Sequence, residues 1–299
     1  METFTIKPRA PYNFKLSLDF LIKEGDGPFP EYRENDNLLR AFRINSKIIP
    51  VKIFSTGTVE KPELKVLTQE ISPQEGNELK DRVISYLNLN EDLTELYSFM
   101  EKDERLKKIR NAFFGFKVPM MGVTVYEVII KAIVQQQISL QVAFHMIFNL
   151  VKKFGEFVEF TGEKYYDFPC PATLANASLS DMRKCGLSRK KIEYIKDFSR
   201  EVVEGGFDPE EMTNWEQDEI VERLTKFRGI GRWTAELVSI ASVKTGKSPA
   251  GDLGVRKAIS RYYFNEKLQD AETIRKFIKK TPRGLVVYLL YANRLNLDV

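Results

Sequence analysis

Residues Phe227–Asp252 read FRGIGRWTAELVSIASVKTGKSPAGD. Leu224 and Phe227 fall on one side of a helix that must stop before Gly229, while Trp233, Leu237 and Ile240 or Ala241 give the next helix an apolar stripe. The stretch therefore predicts a helix, a tight two-glycine turn and a second helix, followed by a loop that delivers one aspartate. Two glycines let the backbone turn with φ > 0 and let its N–H groups approach an anion with no Cβ in the way. Arg232 opens the second helix, whose N-terminus also favours negative charge.

The charge around the turn points the same way. The chain of 299 residues carries a net charge of +4, yet Thr225–Arg261 alone holds eight basic residues against two acidic ones, which leaves the remainder at −2. A local surplus beside glycines is the footprint of a phosphate-binding face, although a solvated helix surface has the same composition. Other classes are excluded more firmly. Two cysteines, Cys170 and Cys185, are too few for a disulfide framework or an iron–sulfur cluster, and the single His145 rules out a histidine-rich metal site. His145 sits among Phe144, Met146 and Phe148, which predicts a packing role. No apolar run approaches a membrane span, and METFTIKPRAPYNF lacks the order of a signal peptide, so the expected location is intracellular, cytoplasmic or nucleoid-associated.

Up to about Thr68, the short apolar runs FKLSLDFLI, LLRAFRI, IIPVKIF and LKVLT, broken by GDGPFPEY and STGTVEKPE, predict an antiparallel sheet. Pro73 opens a helix to Leu87, and from Glu91 onward the periodicity is helical. Thr124 and Glu127 form a capping-box pattern before VIIKAIVQQQ, Ser139 caps a helix ending at Gly155, and LSDMRKCGLSRKKIEYIKDFSREVVEGG reads as two helices joined at Gly186. The fold class is α+β. Residues 1–92 form a sheet domain with a flanking helix, and 93–299 an all-α region holding the helix–turn–helix at about 218–244.

With those elements placed, LTKFRGIGRWTAELV followed by AGDLGVRKA resembles the helix-hairpin-helix and aspartate signature of the DNA glycosylase superfamily, in its 3-methyladenine DNA glycosylase II, or alkylation-repair, branch. VIIKAIVQQQIS with Ala143, and GLSRKKIEYI, resemble further segments of that family, so the likeness covers most of the chain. It implies a monofunctional glycosylase that flips an alkylated purine out of duplex DNA and hydrolyses its N-glycosidic bond.

The resemblance assigns roles by position. Asp252 matches the catalytic aspartate, and it is equally placed to cap the helix LGVRKAISRYYF. Trp233 stands where strand-cutting members hold a Schiff-base lysine, and offers a flat face to a cationic base, a core position at the helix interface being the alternative. Leu237 stands where a second aromatic is frequent, and TPRGLVVYLLY lacks a tryptophan before Arg283, so Phe116 and Tyr288 are candidates to complete the base pocket, with ordinary core packing the other reading of each. Gln136 and Gln137, with Arg228, Gly229, Ile230, Gly231 and Arg232, are the expected DNA contacts, Gln137 filling the vacated stack. The resemblance implies no organic cofactor, a structural Na⁺ or K⁺ on the carbonyls of Thr225, Phe227 and Ile230, damaged double-stranded DNA as partner, no membrane, and a monomer. An oxidised-base glycosylase of the 8-oxoguanine type and a non-catalytic helix-hairpin-helix module are the alternatives. Lys244 or Lys247, on the approach to Asp252, would be the only substitute amines.

Overall fold

The computed structural model describes residues 1–22, 29–243 and 246–298. The N-terminal part is a five-stranded antiparallel sheet of β1 (Glu2–Ile6), β2 (Tyr32–Glu34), β3 (Asn37–Ile44), β4 (Lys47–Ser55) and β5 (Leu64–Thr68), in the order β1-β5-β4-β3-β2. Two helices, α1 (Phe14–Leu21) and α2 (Pro73–Tyr86), accompany it. Ser72 and Glu75 cap α2 reciprocally, each side chain taking the other's backbone N–H.

One expected strand is a helix. FKLSLDFLI alternates apolar and polar residues as a strand does, but Asn13 accepts the N–H of Leu16 at 3.1 Å and starts α1. The alternation then splays to two sides. Phe14 and Leu18 enter the core under the sheet, while Leu16 and Phe20 pack on the core of the C-terminal helices.

The helical region comprises α3 (Thr94–Met100), α4 (Glu104–Ala112), α5 (Val125–Gln135), α6 (Leu140–Phe154), α7 (Pro171–Asn176), α8 (Leu179–Lys184), α9 (Arg189–Val203), α10 (Gln217–Leu224), α11 (Arg232–Val238), α12 (Leu253–Tyr263), α13 (Ala271–Lys279) and α14 (Leu285–Arg294). It is not all-α. A hairpin of β6 (Phe157–Phe160) and β7 (Glu163–Tyr166) interrupts it and lays Tyr165 against Leu39, Ala41 and Ile48 on the outer face of the sheet. His145 is exposed on α6, contrary to the packing role its neighbours suggest.

These helices fill two cores. Helices α5–α11 surround one, and α3, α4 and α12–α14 the other. The chain crosses between them after α11, through a π-helical turn at Ser239–Val243 and the loop that ends at Asp252. Helix α5 is anchored to the sheet by a buried four-charge cluster. Arg40 of β3 meets Glu127 at 2.7 Å and Glu31 at 3.4 Å, and Lys131 meets Glu127 at 2.8 Å and Glu31 at 3.3 Å. Thr124 does cap α5 by accepting the Glu127 N–H, but the Glu127 carboxylate takes the N–H of Val123, one residue before the position a capping box requires. Among the described residues, no helix is long and apolar enough to cross a membrane.

Candidate active site

The glycine turn forms as the sequence requires. Helix α10 ends at Leu224, Gly229 adopts φ +88°, and Gly231 is the N-cap of α11 with extended backbone. A Cβ on Gly229 would stand 2.1 Å from the Tyr194 ring, whereas one on Gly231 would meet nothing within 4 Å. Gly229 is thus glycine for two reasons, conformation and the flat approach of Tyr194; the open side of Gly231 faces a surface concavity of about 1000 Å³.

That concavity gathers several segments distant in sequence. The hairpin Thr225–Gly231 and Trp233 form one wall, the end of α5 (Gln135–Gln137) a second, and the head of α9 with Ser188, Lys191 and Tyr194 a third, while Gly251–Leu253 closes it. Asp252 begins α12: its Oδ1 accepts the Val255 N–H at 2.9 Å, so the expected helix cap is present. Its Oδ2 accepts the Trp233 Nε1–H at 3.2 Å. The N-cap and site positions of Asp252 are compatible because a carboxylate has two oxygens and the helix uses one.

The two glutamines do different things. Gln136 donates from Nε2 to the Gly229 carbonyl at 2.8 Å and to the Thr234 hydroxyl at 3.0 Å, so its amide N–H groups tie the end of α5 to the hairpin. Gln137 is exposed and takes φ +57°, turned out of the helix that Gln135 ends. Lys191 of α9 donates to the Val134 carbonyl at 2.7 Å, a cation on the C-terminal end of α5, and burial pushes its ammonium below the ordinary lysine range.

Other expected residues lie differently. Phe116 and Tyr288, 0% and 1% exposed, are packed into the second helical core, where the Tyr288 hydroxyl donates to the Phe116 carbonyl; they do not complete a base pocket. Leu237 packs on the first core and does not line the concavity. The Ile230 side chain is likewise buried, which leaves its backbone alone to the surface. Arg232 turns along its own helix to Glu236 at 2.7 Å, and Arg228 pairs with Glu193 beside the Tyr194 ring. Arg283 pairs with Glu91. Aromatic surface in the concavity comes from Tyr194, Phe227 and Trp233, of which Tyr194 carries no local signal in the sequence.

The loop before Asp252 is clasped from two sides. The Gln217 carboxamide donates to the Lys247 carbonyl at 2.9 Å and accepts the Lys247 N–H at 3.0 Å. The Lys247 ammonium donates to the carbonyls of Ile278, Lys279 and Thr281 at 3.0, 2.9 and 3.3 Å, closing the end of α13. That engagement removes Lys247 as a substitute amine, and Lys244 lies outside the described residues. No group of three or more His, Cys, Asp or Glu side chains among the described residues is placed to hold a metal ion.

Residues 130–283 match the HhH-GPD superfamily base excision DNA repair proteins. A 3-methyladenine DNA-glycosylase from Archaeoglobus fulgidus superposes with a TM-score of 0.87 at 34% identity, over 98% of this chain and 99% of that one. A DNA-3-methyladenine glycosylase of Bacillus subtilis is 28% identical over 186 residues, 60% of this chain and 61% of its own length, so the chain spans somewhat less than two thirds of that relative. An 8-oxoguanine glycosylase/lyase from Clostridium acetobutylicum, in complex with double-stranded DNA, shares the architecture with a TM-score of 0.74 at 21% identity over 99% of each chain.

Proposed function

The chain belongs to the HhH-GPD superfamily of base excision DNA repair proteins, and from that premise we propose that it is a monofunctional DNA glycosylase removing alkylated purines, such as 3-methyladenine, from duplex DNA. The observation that carries the reading is the placement of the Asp252 carboxylate in one concavity with the glycine turn and the outward-turned Gln137. A DNA-binding module has use for the turn but none for a carboxylate facing the bound strand.

The backbone N–H groups of Gly229–Gly231 and the head of α11 hold a phosphate, which fixes the register without reading sequence. The damaged nucleotide leaves the stack and Gln137 enters the gap, where its amide meets the widowed base. An alkylated purine is cationic and leaves as a neutral base: the C1′–N bond breaks with its electron pair going to the base. The sugar passes through an oxocarbenium-like state facing Asp252, and water adds at C1′ and releases a proton to solvent. A cationic leaving group needs no general acid, so one carboxylate serves where glycosidases employ two. Trp233 has no amine to attack the sugar, which separates this site from the strand-cutting pattern.

The hairpin fits a monovalent cation. The carbonyls of Thr225 and Ile230 have no backbone donor among the described residues, and that of Phe227 accepts only the Ile230 N–H at 3.1 Å. Bound there, Na⁺ or K⁺ would stiffen the turn.

Duplex oligonucleotides each bearing one defined lesion, with base release scored separately from strand scission, test this function. Expected is release of an alkylated purine from an intact strand, lost in Asp252→Asn while duplex binding stays within a few-fold. Binding without release from any alkylated purine would reduce the protein to a DNA-binding module.

A further inference from the structure

Asp252 and Trp233 belong to different halves of the helical region. Trp233 lies in the first turn of α11, whose Ala235 and Val238 are buried in the first core, while Asp252 heads α12, whose Val255, Ala258 and Ile259 are buried in the second. The indole–carboxylate hydrogen bond of 3.2 Å spans the seam between them. Both ends are fixed. Gln136 holds the Thr234 hydroxyl and the Gly229 carbonyl, and so sets the rotation of α11 about the hairpin. The helix N-cap bond to Val255 and the Gln217–Lys247 clasp hold Asp252 from the other side.

The donor chemistry is specific. An indole N–H only donates, is neutral and lies in the ring plane. It can therefore orient the second carboxylate oxygen without neutralising the charge, as a lysine at the same place would by ion pairing. A carboxylate accepts at about four lone-pair sites, so two fixed donors leave acceptor capacity facing the concavity. A side chain serving only as a stacking platform for the base has no need to place its N–H on this oxygen.

We propose that Trp233 is the positioning residue of Asp252, and that the excision step depends on its indole N–H as well as on its ring face. The proposal rests on the glycosylase reading above. It also gives the hairpin a mechanical link to the chemistry, since the element that grips the backbone carries the side chain that aims the carboxylate.

The test replaces Trp233 in the full chain by benzothienylalanine, which keeps the bicyclic shape and puts sulfur where the N–H stood, with Trp233→Phe as a second variant. Single-turnover excision is expected to fall about tenfold or more in both, the effect of losing one hydrogen bond to a charged group, with undamaged-duplex affinity unchanged in the benzothienyl protein, which keeps the ring face. Parental excision by the benzothienyl protein overturns the proposal. The chain has two tryptophans, so its indole N–H region holds two resonances, assigned by Trp215→Phe. The Trp233 resonance is expected downfield and to move upfield in Asp252→Ala; a resonance that ignores that change also overturns it. The second readout needs no activity, so an inactive parent protein would defeat the glycosylase reading and leave the contact separately tested.

Discussion

The two glycines of the hairpin give the sharpest perturbation, because the structure assigns them different reasons for being glycine. Gly229 holds φ +88°, and an added Cβ would lie 2.1 to 2.5 Å from three carbons of the Tyr194 ring. A left-handed backbone costs an L-residue roughly 1–2 kcal/mol, and forcing the ring aside adds roughly 1–3 more, so Gly229→Ala should lose about 2–5 kcal/mol of unfolding free energy. Gly231 has φ −92° and ψ 175°, which any residue adopts, and open space within 4 Å of the added methyl. Gly231→Ala should unfold within about 1 kcal/mol of the parent, a poorer N-cap being offset by a stiffer unfolded chain. Its methyl nevertheless stands where a phosphate must approach the backbone, so undamaged-duplex affinity should drop about tenfold or more. Urea unfolding and fluorescence anisotropy on the two variants separate these effects. Parental affinity in Gly231→Ala would refute the close approach of DNA at this turn, and parental stability in Gly229→Ala would refute the steric account of Tyr194.

Borohydride added during turnover should trap no protein–DNA adduct, since Trp233 cannot form an imine and the Lys247 ammonium is held by three carbonyls; a trapped adduct seen by denaturing electrophoresis contradicts the monofunctional reading. Lys131→Met leaves Glu31 and Glu127 with Arg40 as the one cation of their cluster, and should cost about 3–5 kcal/mol in denaturant unfolding, the penalty of breaking a buried charge cluster from one side. Burial pushes the Lys117 ammonium down to about 8 from the ordinary 10.5. Between those values the unfolded chain binds more protons than the folded one, so the stability of the parent relative to Lys117→Met should rise as pH goes from about 8 to 10.5. A gap that stays flat across that range in thermal melts argues against a depressed lysine there.

Helices whose apolar residues recur at helical spacing and whose caps are local were legible in the sequence, and so was the glycine turn. Ser139 and Asp252 start helices where a capping residue precedes an apolar run, and α2 opens at Pro73. The misreadings have definite causes. In α1 the alternation of Phe14, Leu16, Leu18 and Phe20 mimics a strand because the helix lies between two cores and buries residues toward both. The β6–β7 hairpin carried a usable signal, Thr161-Gly162 flanked by FVEF and EKYY, with both turn residues left-handed at φ 52° and 83°. Its strands span only four residues each, so the helical periodicity on either side outweighed them.

The site was legible only along one strand of its construction. Residues within the hairpin and its following loop declare themselves by spacing, since glycine geometry, helix capping and a lone carboxylate are local requirements. Tyr194, Lys191 and the partner of Gln136 do not, because each acts on a carbonyl or glycine dozens of residues away. Aromatic identity alone could not decide between pocket and core for Phe116 and Tyr288: a ring that buries large area serves a core as readily as a pocket, and the second helical core takes both. What the sequence does mark is the loop after the hairpin, the run from Gly246 through Pro249 and Gly251 to Asp252, and the structure makes it the crossing between two helical cores. A loop forced to cross a seam brings its last residue against the opposite core, and there the carboxylate finds Trp233. The contact that aims it is therefore a product of packing two cores together, so substitutions far from the concavity that shift α11 against α12 should impair excision more than they impair binding.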